Sequence, residues 1–148
     1  MVFEISRKIE QSLTRVAHIQ GPYVRRVCPR CEAPCCSRIR YLYDEKDLMF
    51  IRISGQKVNP RKRDRGRRGC SFLAPAGCVL EPLARPFTCH RYVCPELEKE
   101  MGGKGSPVMV LLSEEIRFID HLRSALWKAY LEAALKGARN RSKQGGMP

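Results

Sequence analysis

The chain has 148 residues and a formal net charge of +13, a size that suits one domain with a modest hydrophobic core. Its best apolar run, at 108–112, is too short to cross a bilayer, so we expect no membrane-spanning segment. The first ten residues carry four charges and lack the apolar stretch of a secretory signal peptide, so we predict a cytoplasmic protein with reduced thiols.

A helix is predicted at the start of the chain. Its apolar residues recur mostly at steps of three and four, which places them in one stripe along the helix. They are Val2, Ile5, Ile9, Leu13, Val16 and Ala17. Gly21 and Pro22 predict the end of this helix.

Eight cysteines follow, all between residues 28 and 94. Four of them stand within 28–36, where the first C-x-x-C spacing lets two thiolates point at one ion from a single tight turn. In a chain without a secretory signal, this spacing indicates a metal site rather than disulfides. The candidate metal ligands are Cys28, Cys31, Cys35, Cys36, Cys70, Cys78, Cys89 and Cys94.

The adjacent cysteines Cys35 and Cys36 are unusual, because neighbouring residues aim their side chains in different directions and rarely serve one tetrahedral ion. The pair is compatible with two metal centres, with one polynuclear cluster, or with one ligand beside one packing cysteine.

Between the cysteine groups, apolar residues alternate over 39–43 and predict a short strand. Asp44 is predicted to cap a short helix, with Asp47 three residues on and an end near Gly55. The sequence at 50–53 would also suit a strand, so helix and strand both remain open there.

Two apolar arms around a Pro-Ala-Gly turn predict a hairpin at 70–80, which would bring Cys70 and Cys78 together. A glycine-rich linker follows at 102–107. Helical spacing of apolar residues then predicts a long packing helix from Val108 to Gly137.

We therefore predict an α+β fold: a small single domain whose cysteine-rich, metal-stapled centre has short strands or a hairpin, packed by an N-terminal and a long C-terminal helix. The metal-binding domain would cover 1–136 with its motif core at 28–94, and 137–148 would be a disordered basic tail.

Positive charge is concentrated in that tail and in a loop at 61–68, which has six basic residues and one acid. The loop supplies candidate nucleic-acid contacts. They are Arg61, Lys62, Arg63, Arg65, Arg67 and Arg68. A solvated surface loop explains the same charges equally well.

Four ordered motifs carry a resemblance to a known family. They are Cys28-x-x-Cys31-x-x-x-Cys35-Cys36, Cys70-x-Phe-Leu, Gly77-Cys78-Val-Leu80, and Arg85-Pro86-x-x-Cys89 with Cys94. This set resembles the YkgJ-type cysteine-cluster family, described as a zinc- or iron-chelating domain, although three residues stand at 32–34 where the family pattern has two. The resemblance implies a cofactor-bearing domain with the matched cysteines as ligands.

Ligation by cysteine alone allows either zinc or an iron–sulfur cluster as the cofactor. The motifs contain no obvious histidine or carboxylate ligand, which argues against hydrolytic zinc; His90, beside Cys89, is interpreted as lying next to the site or at the surface. We expect a metal-chelating protein with a redox or accessory role, more a non-catalytic or accessory protein than an enzyme.

Three alternatives remain open at this point. The first is a zinc-stapled nucleic-acid-binding module that uses the 61–68 loop. The second is an enzyme subunit whose cluster serves the redox step of a protein partner. The third is thiol redox chemistry by Cys28 and Cys31. The expected partners are thus a metal ion or cluster, and either a protein or a nucleic acid, but no membrane.

Overall fold

A computed structural model describes residues 1–32, 35–38, 42–58, 70, 72–74 and 77–144. The longer helices are α1 (Val2–Val27), α3 (Glu45–Ser54) and α6 (Pro107–Gln144), and the short ones are α2 (Cys35–Arg38), α4 (Phe87–Arg91) and α5 (Pro95–Glu100). Two 3₁₀ turns lie at Cys28–Arg30 and Pro82–Ala84, and two strands, β1 (Leu73–Ala74) and β2 (Gly77–Cys78), have two residues each.

The α+β prediction was wrong, because the described part of the chain is mainly helical. β1 and β2 pair antiparallel, with Leu73 opposite Cys78, and two residues on each strand are too few to form a layer of the fold. The segment at 50–53 belongs to helix α3. The strand predicted over 39–43 lies mostly outside the described residues, and Leu42 and Tyr43 are not in a strand.

The predicted apolar stripe of helix α1 is confirmed. Its predicted end was wrong, since the helix continues through Gly21 and Pro22 to Val27. Proline inside a helix costs about 3 kcal/mol or more, because it lacks an amide donor and crowds the preceding turn. Beyond it, Tyr23, Val24 and Val27 pack against the core, and this apolar contact offsets the cost.

The core lies between α1 and α6, and α3, α4 and α5 close it from the sides. Its fully buried side chains come from α1 and α6 in particular. The main members are Ile9, Leu13, Val16, Met49, Phe50, Phe87, Leu97, Leu112, Ile119, Leu122 and Leu126. The two long helices that the sequence predicted thus supply most of the apolar contact.

The predicted helix at 44–55 is confirmed, including its cap. Asp44 accepts a hydrogen bond from the Asp47 amide at 2.8 Å, and Asp47 accepts one from the Asp44 amide at 3.1 Å. This reciprocal capping satisfies amides that the first helical turn leaves unpaired. Gly55 ends the helix at φ 70°, a left-handed conformation that favours glycine.

Helix α6 continues past Gly137, its predicted end, to Gln144. Its 38 residues correspond to a length of about 57 Å. Residues 130–141 are all exposed, so this end of α6 extends beyond the core. The predicted division of the chain after residue 136 stays a prediction. None of the helices in the described ranges is long and apolar enough to cross a membrane.

Candidate metal centre

The eight cysteines lie on the short elements that connect α1 to α6. All are free thiols; Cys28 and Cys78 are exposed, and the other six are half-buried. Cysteines that serve only in packing are among the most deeply buried residues of proteins. None of these eight is fully buried, so the placement favours accessible ligands over packing residues.

The C-terminal end of α1 presents the first group of thiols. Cys28 opens a 3₁₀ turn, in which the Cys31 amide donates to the Cys28 carbonyl at 3.3 Å. Burial raises the pKa of Cys28, and the charges of Cys35, Cys94 and Cys31 raise it further. The thiols of Cys35, Cys94 and Cys31 therefore lie within electrostatic reach of Cys28.

Cys94 reaches this group from the start of α5. Its Sγ accepts a hydrogen bond from the Leu97 amide at 3.4 Å and so caps the helix. Burial raises the pKa of Cys94, with the Leu97 hydrogen bond opposing and the charge of Cys35 adding to the rise. An ion pair of 3.0 Å between Arg26 and Glu100 joins the end of α1 to α5.

A second group forms around Cys36, whose side chain also interacts with that of its neighbour Cys35. The Cys70 amide donates to the Cys36 carbonyl at 2.7 Å, which ties the Cys70 backbone directly to α2. Burial raises the pKa of Cys36 to about 12, and the charges of Cys35, Cys70 and Cys78 contribute. The short β pairing places Cys78 opposite Leu73.

Cys89 completes the second group from helix α4. The pKa of Cys89 is raised to about 12, mainly by burial and further by the charges of Cys70, Cys36 and Cys78. The positive charge of Arg85 lowers this pKa and so opposes the rise. Arg85 is held in place because its Nε donates to the Leu80 carbonyl at 3.1 Å.

Tyr43 borders the second group, a role that sequence reasoning missed. Its ring meets Phe72 edge to face with 6.2 Å between centroids, and its hydroxyl donates to the Ala84 carbonyl. Burial raises the pKa of Tyr43 to about 12, and the charges of Cys89, Cys78 and Cys70 are among the further causes. The alternation that includes Tyr43 indicated only a strand.

The spacing of the thiols is not that of a metal site in the described part of the chain. Among the described residues, no three cysteine, histidine or acidic side chains have the spacing that holds a metal ion. The chemistry of the donors nevertheless fits a soft cation. Several thiolates at close range repel one another, and a bound cation would replace their protons and relieve that repulsion.

His90 is fully buried, so the surface interpretation of this residue was wrong. Its Nε2 hydrogen-bonds with the Pro82 carbonyl at 2.9 Å, and its own carbonyl accepts from Gln20 Nε2 at 2.8 Å. Burial lowers the pKa of His90 to about 4, which keeps the ring neutral. These contacts hold helix α4, and with it Cys89, against α1.

Helix α4 is also fixed by an ionic junction, formed by Asp44, Asp47, Phe87 and Arg123. Arg123 Nη2 donates to Asp44 at 2.6 Å and to Asp47 at 2.8 Å, and its guanidinium lies 4.3 Å from the centre of the Phe87 ring. The Phe87 amide donates to Asp47 at 3.2 Å. The capping pattern predicted Asp47 as a helix cap only, and no sequence signal marked Arg123 as its partner.

The pKa values of the two aspartates of the ionic junction are shifted in opposite directions. Burial raises the pKa of Asp47 despite the nearby charge of Arg123. Burial also acts on Asp44, but its hydrogen bonds to the Asp47 amide and Arg123 outweigh burial and lower its pKa. Asp44 is half exposed and Asp47 is not, which explains the opposite directions.

The candidate nucleic-acid contacts at 61–68 lie outside the described residues, so that interpretation stays a prediction. Comparison of the chain with protein-family models, curated protein sequences and solved structures gave no match. The resemblance to the YkgJ-type family therefore depends on the cysteine motifs alone and also stays a prediction.

Proposed function

We propose that this protein chelates metal through its clustered cysteines, as an iron–sulfur cluster or as zinc. The observation that carries the proposal is the set of eight free, incompletely buried thiols on the short elements between α1 and α6, where the Cys70 amide is hydrogen-bonded to the Cys36 carbonyl. Neighbouring thiols contribute to the raised pKa values of Cys28, Cys36 and Cys89, in addition to burial. Such crowding is unfavourable for thiolates alone and favourable once a cation is bound.

The supporting structure around the thiols fits this role. Buried contacts of His90 and Asp47 anchor α4, and the helix cap of Cys94 anchors α5. Fixed ligand-bearing elements reduce the entropy lost when an ion is bound. We propose an accessory, cytoplasmic protein that carries a metal centre, rather than an enzyme complete in itself.

Elemental analysis and an absorption spectrum of protein purified without oxygen test the proposal. Iron with labile sulfide and broad absorption at about 400 nm would identify an iron–sulfur protein. Colourless protein with stoichiometric zinc would identify a structural zinc site. Protein that contains no metal and takes up none when reduced and titrated would contradict the proposal.

A matched pair of variants separates cysteine ligation from adventitious binding. Cys36→Ser should lose metal, because it removes a thiol at the centre of the clustered region. His121→Gln removes an exposed donor on α6, a helix that carries no cysteine, and should keep the full metal content. Equal loss in both variants would show that the metal is not held by the cysteines.

A further inference from the structure

We propose that a groove between helices α4 and α6 binds a small organic carboxylate with an apolar ring or chain. The groove has a volume of about 540 Å³. Sites for small molecules in proteins typically have volumes of about 300–1,000 Å³. None of the candidate cysteine ligands is among the described residues that line the groove, so this inference goes beyond the proposed metal centre and does not depend on it.

One face of α6 forms the floor of the groove. The lining residues of α6 recur at steps of three and four, which places them on the same side of the helix. They are Met109, Leu112, Ser113, Ile116 and Arg117. Met109 and Leu112 also belong to the hydrophobic core, so the floor is continuous with the packed interior. A floor that the core holds in place has its shape before a ligand binds, which lowers the cost of binding.

The opposite wall of the groove comes from the end of α4 and the segment that follows it. Thr88 and Arg91 lie on α4, and Tyr92 and Val93 come directly after it. The buried hydrogen bonds of His90 hold this helix against α1. Both sides of the groove are therefore attached to the folded core.

Two arginines give the groove its charge, one from α4 and one from α6. Neither Arg91 nor Arg117 forms an ion pair with an acidic side chain in the described part of the chain. The described lining residues include no acid, so the lining contributes two positive charges and no negative one. The planar guanidinium of arginine matches a carboxylate through two parallel hydrogen bonds. The groove therefore favours an anionic head group.

The remaining lining selects the body of the ligand. Four of its side chains are apolar and suit a ring or an aliphatic chain. They are Val93, Met109, Leu112 and Ile116. A carboxylate carries one charge and loses less hydration in such surroundings than a doubly charged phosphate does. The lining thus fits a carboxylic acid with an apolar body better than a phosphate ester.

Isothermal titration calorimetry of the purified protein with naphthoate tests the proposal. Naphthylmethanol keeps the ring but lacks the charge, and acetate keeps the carboxylate but lacks the ring. Naphthoate should bind about fivefold more tightly than the alcohol, because of its ion pairs, and at least about tenfold more tightly than acetate, because of its apolar contact. Equal affinity for naphthoate and either reference compound would overturn the proposal, as would the absence of naphthoate binding at millimolar concentration.

NMR of isotope-labelled methionine methyl groups locates the bound naphthoate. The methyl resonance of Met109 should shift, because this side chain lines the groove. That of Met49 should not, because Met49 is buried in the core and is not part of the lining. An unchanged Met109 resonance in protein that binds naphthoate would place the ligand elsewhere and overturn the assigned site.

Two matched variants of α6 separate binding in the groove from attraction to the net charge of the protein. Arg117→Gln and Arg139→Gln each remove one exposed positive charge from this helix, but only Arg117 lines the groove. Arg117→Gln should weaken naphthoate binding about fivefold, and Arg139→Gln should change it by less than about twofold. Equal losses would show a response to net charge alone and would overturn the proposal. Circular dichroism verifies that the helices still form in both variants.

Discussion

Replacement of Asp47 with alanine should destabilise the protein far more than the same replacement of Asp44. Both carboxylates bind Arg123, but the side chain of Asp47 is 8% exposed and that of Asp44 is 50% exposed. Asp47 also accepts from the Phe87 amide and from the Asp44 amide. Its loss therefore leaves several buried groups without their partner.

The expected losses of unfolding free energy follow from the different burial of the two side chains. Removal of one partner from a buried ion pair costs about 3–5 kcal/mol, because the other charge stays buried and uncompensated. Arg123 is 6% exposed, and its remaining acidic partners in the described part of the chain would be the half-exposed Asp44 and Asp120, whose Oδ1 lies 4.0 Å from Arg123 Nη1. Asp44→Ala removes a helix cap, worth about 1 kcal/mol, and a solvent-screened ion pair that contributes little.

Urea denaturation followed by tryptophan fluorescence measures the two free energies of unfolding. A difference of at least about 2 kcal/mol between the variants is expected, with unchanged dependence on urea concentration. Asp47→Asn keeps an oxygen that accepts hydrogen bonds but removes the charge, and should fall between the two. Equal losses from Asp44→Ala and Asp47→Ala would refute the argument that burial makes the Asp47 contact expensive to break.

Three further predictions concern the core, the glycines and the metal. Leu126 on α6 is fully buried and Leu131 is 42% exposed, so Leu126→Ala should lower the free energy of unfolding by about 2–5 kcal/mol and Leu131→Ala by less than about 0.5, measured by urea denaturation; similar values would contradict this placement of the core. Gly55→Ala should cost about 1–2 kcal/mol because of its positive φ, whereas Gly137→Ala should cost nothing because it lies in an open helical position; a thermal melt compares the two, and a larger loss at Gly137 would contradict the helix there. Removal of bound metal with a chelator should lower the melting temperature in calorimetry, since an ion at about 1,000 times its dissociation constant contributes about 4 kcal/mol; an unchanged melting temperature would show that the ion does not stabilise the fold.

Periodicity and capping patterns predicted the parts of the fold that depend on local sequence. The apolar stripe of α1, the capping box at Asp44 and the long C-terminal helix were all visible in the chain. The predicted ends of α1 and α6 were wrong because glycine costs a helix only about 1 kcal/mol, and even the cost of about 3 kcal/mol or more for proline can be offset by apolar packing. The α+β prediction was wrong because the sequence pattern of a hairpin does not fix the length of its strands, and here each strand has only two paired residues.

For the candidate site too, local sequence predicted the residues but not the contacts between distant segments. The cysteine spacing alone identified the eight candidate ligands, but their grouping depends on contacts between segments far apart in the chain, such as Cys36 with Cys70. Arg123 was missed because a single arginine on an amphipathic helix has no pattern that names its partner. Asp47 was found only in its local role, since capping is local and the contact with Arg123 joins positions 76 residues apart.

The exposed end of α6 affects how unfolding of this protein is to be measured. Residues 130–141 form about 12 residues of helix beyond the core, and a helix of that length is only marginally stable in water without tertiary contacts. Its amides should exchange with solvent long before those near Ile119, which open only with the whole core. Trp127, half-buried and stacked on Tyr130, lies where the core ends. Its fluorescence therefore reports on the core, whereas circular dichroism also records early fraying of the exposed end, and the two signals should not coincide.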